Sequence, residues 1–520
     1  MTAITEQATR PANLIGADRQ DIAGDALVSI NPAKPAEVVW SGSPSIESVG
    51  SAVAAAREAL PAWRRAGVET RIAVLETFAK IASEKAGELG DLIMRETGKA
   101  RWDAHGEAKI IAPKVQTTID DSLNAGRARV TGFELDLGPG KSGTALFKPH
   151  GVMAVVGPFN FPAHLPNGHI VPALMTGNTV VFKPSDKTPA VGQFLGELYR
   201  AALREHGLPE AVVNLTHGGA EVARSLVSAD GVDGVLFTGS WPVGRAILEA
   251  NLDRPGTIIA LELGGNNPSV VMPDADLKRA AIEVTRAAFI TTGQRCTCTR
   301  RLIVHEDIAD RFVPLVAKIA SSLIIGDPGG MAGEDVFFGP AISAASRDAV
   351  LEFQQSMART GATTVLESSA PDHPDGGFFV TPGICEVERF VAEDDGRHPG
   401  RDTEVFGPYL RVTRVGSLDD AIRQANATRY GLAASIFTSS DDVGSRFLDE
   451  TRAGCINLNT GTAGASGKLP FGGVGLSGNH RPAGSFSPDY CAYPVASMRE
   501  PASADPAVPP GMRFEDGWTR

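Results

Sequence analysis

From residue 151 onward, short apolar runs alternate with longer helical stretches, and that rhythm leaves few folds open. The runs are 152–156, 179–182, 212–215, 234–237 and 257–261; residues 190–206 are one of the helical spacers. Apolar strands this short, separated by helices, are the pattern of parallel strands joined by crossover helices. Ligands of such sheets bind just beyond the strand ends. A second α/β stretch begins near Asn267. In it, 275–290 reads as a helix, 301–304 as a strand, and Ser417-Leu418-Asp419-Asp420 as a capped helix start.

The segments outside this alternation differ in kind. Residues 1 to 27 read as a loosely ordered arm. Residues 43–60 and 71–94 carry helical periodicity; in the second, Ile72, Leu75, Phe78, Ile81, Leu89 and Leu92 fall largely on one face. Residues 129–148 read as a hairpin: Arg129-Val130-Thr131 and Thr144-Ala145-Leu146-Phe147 flank a turn rich in Gly and Pro. A hairpin inserted there has an edge to offer another chain. The tail after Ser497 lacks periodicity and reads as a surface extension. At 520 residues the chain has room for roughly two to four domains.

Composition narrows the function. The net charge of -12 argues against nucleic acid or an anionic membrane as partner. No stretch has the length of a membrane span, and Met1 to Ile15 lack the apolar core of a secretory signal. Five irregularly spaced cysteines do not form a disulfide framework, so a reducing, cytoplasmic setting is expected.

Two residues carry most of the chemistry. Glu262 stands in Leu261-Glu262-Leu263-Gly264-Gly265 and Cys296 in Gly293-Gln294-Arg295-Cys296. A thiol can add to a carbonyl, and a carboxylate can activate the water that releases the acyl group. Taken singly, Cys296 reads as a small buried hydrophobe and Glu262 as a strand-end hydrogen-bonding group. Cys298 competes with Cys296 on chemistry alone. Cys385, Cys455 and Cys491 sit in no catalytic motif and read as structural. Metal binding is not expected, because Cys296-Thr297-Cys298 lacks a second ligand pair at zinc spacing. His164 and His169 lie in a segment rich in Pro and Gly that is not expected to set them on one helix face.

These two motifs resemble the base and nucleophile of the NAD(P)-dependent aldehyde dehydrogenases. Further matches follow in family order over residues 30 to 495: Pro158-Phe159-Asn160-Phe161-Pro162, Lys183-Pro184-Ser185, Phe237-Thr238-Gly239-Ser240, Glu404-Val405-Phe406-Gly407-Pro408, and Pro470-Phe471-Gly472-Gly473 with Ser477-Gly478. The resemblance implies an α/β fold: a Rossmann-type cofactor domain (1–128 and 149–265), an α/β catalytic domain (266–470), a small β oligomerisation element (129–148 and 471–500) and a tail (501–520). It implies Cys296 as nucleophile, Glu262 as base and Asn160 as oxyanion donor, with Phe159 where the family usually has Trp. Pro158, Lys183, Ser185, Gly239, Ser240, Gly244, Leu263, Glu404 and Phe406 are the implied cofactor contacts. Asp186 would repel a 2′-phosphate, so NAD is expected over NADP.

Longer stretches resemble one branch, which acts on N-succinylglutamate 5-semialdehyde in arginine catabolism. They include His164-Leu165-Pro166-Asn167-Gly168-His169, Gly265-Asn266-Asn267-Pro268, Asn479-His480-Arg481-Pro482 and Asp489-Tyr490-Cys491-Ala492. That substrate carries carboxylates, for which Arg300, Arg301 and Arg481 are the candidate partners. A small-molecule aldehyde and a homodimer or homotetramer are the expected partners. A CoA-acylating enzyme of the same fold, or a non-catalytic protein that keeps it, are the competing readings.

Overall fold

The computed structural model describes residues 10–120, 131–138, 140–330, 335–502, 506 and 508–519. Its frame is a pair of seven-stranded sheets. The first is ordered Ile258–Glu262, Gly234–Thr238, Val152–Val156, Thr179–Lys183, Val213–Leu215, Ala12–Ile15, Asp18–Asp21. Its first five strands are parallel, within a residue or two of the apolar runs in the sequence. They are apolar throughout because both faces are covered. Met153 and Val155 pack into one core, and Val152, Ala154 and Val156 into another.

The last two strands of this sheet overturn the expectation of a loose N-terminal arm. Ala12–Ile15 is wholly buried and pairs antiparallel with the neighbouring strand through Leu14 and Leu215. The backbone of Ala12 donates to Gln193 and that of Gly16 to Asn214. Four residues are too short to show periodicity, so the sequence hid an edge strand that tertiary pairing creates.

The second sheet runs Thr363–Leu366, Gly383–Glu386, Tyr409–Val415, Thr299–His305, Asn267–Val271, Ala433–Phe437, Cys455–Leu458 and is parallel except at the first strand. Helices cover both of its faces too, including Leu277–Phe289 and Leu418–Ala425, the latter capped by the Ser417 hydroxyl.

The long helix expected over 71–94 is two helices, Gly67–Glu84 and Ala86–Thr97, because Lys85 leaves helical geometry (φ −99°, ψ 5°). The hairpin consists of Phe133–Asp136 and Ser142–Pro149, extended by Ala492–Arg499 into an antiparallel sheet of three strands. Arg129 and Val130 lie outside the described residues. The tail exposes Val508, Met512, Phe514 and Trp518. No described helix is long and apolar enough to cross a membrane.

Candidate active site

Four turns leave the first sheet at the carboxyl ends of its strands. Val152–Val156 leads to Pro158, Phe159 and Asn160; Thr179–Lys183 to Ser185 and Asp186; Gly234–Thr238 to Gly239 and Ser240; Ile258–Glu262 to Leu263 and Gly264. Together they wall a cavity of ≈ 790 Å³. That volume suits a drug-sized or cofactor-sized molecule. The far wall comes from the second half of the chain: Cys296, Glu404 and Phe406. Asn160, Lys183 and Cys296 thus share one cavity despite their separation in sequence.

The glycines after Glu262 explain how three loops meet. A Cβ on Gly264 would lie 1.9 Å from the Glu404 carboxylate, and one on Gly265 would lie 2.8 Å from the Cys296 carbonyl. Only bare backbone admits both loops. The Gly265 N–H donates to Glu404 Oε1 at 3.0 Å. Asn267 donates from its amide to the carbonyls of Cys296 (2.7 Å) and Cys298 (2.8 Å). Asn266 donates to the buried Asp402, which also accepts from the Thr428 hydroxyl and the Arg429 N–H. The two asparagines were visible in the sequence only as part of the Gly265-Asn266-Asn267-Pro268 resemblance, without this clasping role, and Asp402 gave no signal, since a buried clasp has no local signature.

Burial sets the protonation of this site. The Cys296 thiol is pushed up to about 12, by burial first and then by Glu404 and Glu262. Glu262 is itself buried, its carboxyl held well above the usual range by desolvation and opposed by the Ala483 N–H. Its Oε2 has no hydrogen-bond partner. Glu262 does not line the cavity wall; Oε1 would lie 2.9 Å from a Cβ on Gly472. Burial likewise raises Glu404 and lowers Lys183 to about 8. The Asn160 amide donates to the Gln294 carbonyl at 2.9 Å, tying it to the cysteine turn. Phe159 meets Phe406 edge-on at 5.9 Å between ring centres. Cys298 is fully buried beside Ala287, Ile290 and Ala463 and, unlike Cys296, does not line the cavity. Cys385, Cys455 and Cys491 do not line it either.

Several expected residues stand elsewhere. Gly244 lies behind the wall: a Cβ there would come within 2.8 Å of Leu263, so glycine lets the helix Trp241–Ala250 close onto that residue. Arg301 is completely buried and donates to the carbonyls of Asn266, Gln424 and Ala425. Arg300 donates to the Gly407 and Arg295 carbonyls and lies over the Phe406 ring. Both guanidiniums are buried and donate to backbone carbonyls; Arg300 Nε has no partner among the described residues. Arg481 is exposed and donates only to its neighbour's carbonyl at His480. His164 and His169 lie on one helix, His164–Met175, but not on one face of it. Five residues put them roughly 140° apart around its axis. His169 is buried between the Tyr490 and Thr238 hydroxyls.

The cavity fits a dinucleotide. Ser240 makes no side-chain cap at the start of Trp241–Ala250, leaving the free N–H groups of that helix end for a phosphate. Val227, Val243 and Ala246 give the cavity wall an apolar part, and Arg224 lines the cavity as well. Those helix residues look like ordinary surface and core in sequence, and pattern reading missed them.

Residues 20–493 match the aldehyde dehydrogenase family. The chain belongs to that family. It is an oxidoreductase acting on aldehydes. It is 44% identical over 480 residues to N-succinylglutamate 5-semialdehyde dehydrogenase of Caulobacter sp. (strain K31), covering 92% of this chain and 94% of that one. The enzyme of that name from Chromobacterium violaceum is 41% identical, covering 94% and 97%. Among solved structures, the NAD-dependent aldehyde dehydrogenase from Sinorhizobium meliloti superposes with a TM-score of 0.87 at 28% identity, covering 97% of each chain. The NADP complex of glyceraldehyde-3-phosphate dehydrogenase GapN from Methanocaldococcus jannaschii gives 0.83 at 27%, covering 92% and 100%.

Proposed function

We propose that this enzyme oxidises N-succinylglutamate 5-semialdehyde to the carboxylic acid with NAD as acceptor. The observation that carries the reading is that Cys296 and Asn160 face one cavity with the cofactor turns, while Glu262 lies buried behind it with Oε2 unpartnered among the described residues. The Cys296 sulfur adds to the aldehyde carbon as its S–H bond breaks and the proton passes to solvent water. The Asn160 amide and the Cys296 N–H stabilise the oxygen that becomes negative. NAD supplies the hydride acceptor. Glu262 takes a proton from the water that hydrolyses the thioester, a task its raised carboxyl suits. Pro158, Lys183, Ser185, Gly239, Ser240, Leu263, Glu404 and Phe406 hold and orient the cofactor. Asp186 on the cavity wall favours NAD over NADP.

The relatives' printed name supports the substrate. Glu262 favours hydrolysis over transfer to CoA. The division into cofactor, catalytic and oligomerisation regions follows the sequence boundaries given above. Self-association through the three-stranded sheet is part of the reading, supported by the exposed Phe133, Leu135 and Met498. So is a cytoplasmic location, supported by five free cysteines.

The test is Cys296→Ala. Turnover on the semialdehyde should fall by at least about 10³-fold with NAD binding retained. Wild-type turnover in that variant would end the nucleophile assignment, and acyl-CoA as main product would end the hydrolytic one.

A further inference from the structure

The chain enters the cysteine turn in an unusual way. After the helix Leu277–Phe289, Thr291 (φ 56°, ψ 37°), Thr292 (φ 56°, ψ 32°) and Gly293 (φ 67°) are left-handed in succession. β-Branched residues resist that region strongly. Two threonines there persist only if their surroundings hold them. Gly293 has its own reason: a Cβ would lie 2.2 Å from the Gly407 carbonyl. The threonines are held by hydroxyls. Thr292 donates to the Gly339 carbonyl at 2.9 Å.

Thr291 is held by a closed ring of three side chains. Its hydroxyl donates to Asp103 Oδ2 at 2.5 Å and accepts from Arg295 Nε at 2.7 Å, while Arg295 Nη2 donates to Asp103 Oδ1 at 2.7 Å. Asp103 lies in the first turn of the helix Arg101–Lys109, is buried, and does not line the cavity. The Arg295 guanidinium also lies over the Phe161 ring, next to Asn160. The ring therefore grips the turn at Thr291 and again at Arg295, the residue before Cys296.

We propose that Asp103 is a positioning residue: through Thr291 and Arg295 it holds the left-handed turn that presents Cys296 to the cavity. The proposal rests on Cys296 being the nucleophile. Without the carboxylate, Thr291 loses its restraint and relaxes, and the sulfur shifts against the carbonyl it must attack. Displacements of about 1 Å in a reacting geometry cost up to about 10²-fold in rate.

The experiment compares full-length Asp103→Ala, Thr291→Val, Thr291→Ser and the double variant Asp103→Ala/Thr291→Val, with Cys296→Ala alongside. Asp103→Ala and Thr291→Val should each lower kcat by about tenfold or more, with KM for NAD within about twofold of wild type. Thr291→Ser keeps the hydroxyl and should recover kcat. The double variant should lose no more than the worse single one, because both break the same ring. Thr291→Val is nearly isosteric and carries the test alone if Asp103→Ala does not fold. Near-wild-type kcat in Thr291→Val, or losses that multiply in the double variant, overturns the proposal. If Cys296→Ala is dead while these variants are active, only the positioning role falls; if Cys296→Ala is active, the nucleophile reading falls first.

Discussion

The two large sheets deliver their functional residues from opposite ends. In the first sheet every cavity turn follows a strand: Asn160 after Val152–Val156, Ser185 after Thr179–Lys183, Gly239 after Gly234–Thr238. In the second sheet the key residues precede theirs: Cys296 before Thr299–His305, Glu404 before Tyr409–Val415. The general rule of ligands at carboxyl ends describes only the first. The means of support differ as well. Turns of the first sheet inherit their positions from parallel strand register and a dry core. Loops of the second are tied by buried polar side chains: Arg300 to Gly407, Arg301 to Asn266, Arg411 to Thr403, Asn267 to Cys296. Strand ends are enough to hold backbone donors for a cofactor. The loop of Cys296, the proposed nucleophile, is fixed by side-chain clasps instead.

The sharpest way to separate the contributions of the two halves is Glu262→Gln. Steady-state turnover should fall by about 10²–10⁴-fold, while one equivalent of NADH per site still forms in a burst. Loss of the burst would mean that Glu262 supports the earlier chemistry too. Next comes a paired test of support. Arg301→Met removes a donor from the carbonyls of Asn266, Gln424 and Ala425 and should reduce unfolding free energy by about 3 kcal/mol, read from thermal or urea melts. Lys183→Met removes an amine already lowered to about 8 by burial, so stability should hold or rise while KM for NAD climbs by about tenfold. Equal stability losses in both would erase the contrast between the halves.

Protonation gives a smaller, graded test. Because burial holds the Cys296 thiol near 12, it stays protonated at neutral pH without cofactor. Its alkylation by iodoacetamide should rise about tenfold per pH unit between 7 and 10, and a plateau near pH 8 would contradict the burial effect. The smallest effect is expected at the cofactor's outer end. Asp186→Ser should narrow the NAD over NADP preference by about tenfold, read from kcat/KM with each.

Much of the first half was legible in sequence. Its strands are apolar throughout and bounded by turns, so 152–156 and 234–237 could be located almost to the residue. Cys296, Asn160, Lys183 and Glu404 were legible as motifs. The backbone bonds of Arg300 and Arg301 were not legible, because a charge that binds backbone carbonyls and one that binds a substrate are written with the same letter. Gly244 was assigned to the cofactor because spaced glycines look alike, whether they face a phosphate or a leucine. Asp103 and Asp402 gave no signal, and Asn266 gave none for its clasping role, since each bonds a partner more than a hundred residues away.

Sequence alone determined the alternating strands and helices, the reactive residue types and their order, because periodicity and short motifs are local properties. Tertiary structure decided which arginines bind backbone carbonyls, how Thr291 and Thr292 are held in a left-handed turn, and that Glu262 is buried with one carboxylate oxygen unpartnered among the described residues. Those outcomes depend on burial and on partners brought from distant segments, and a one-dimensional pattern carries neither.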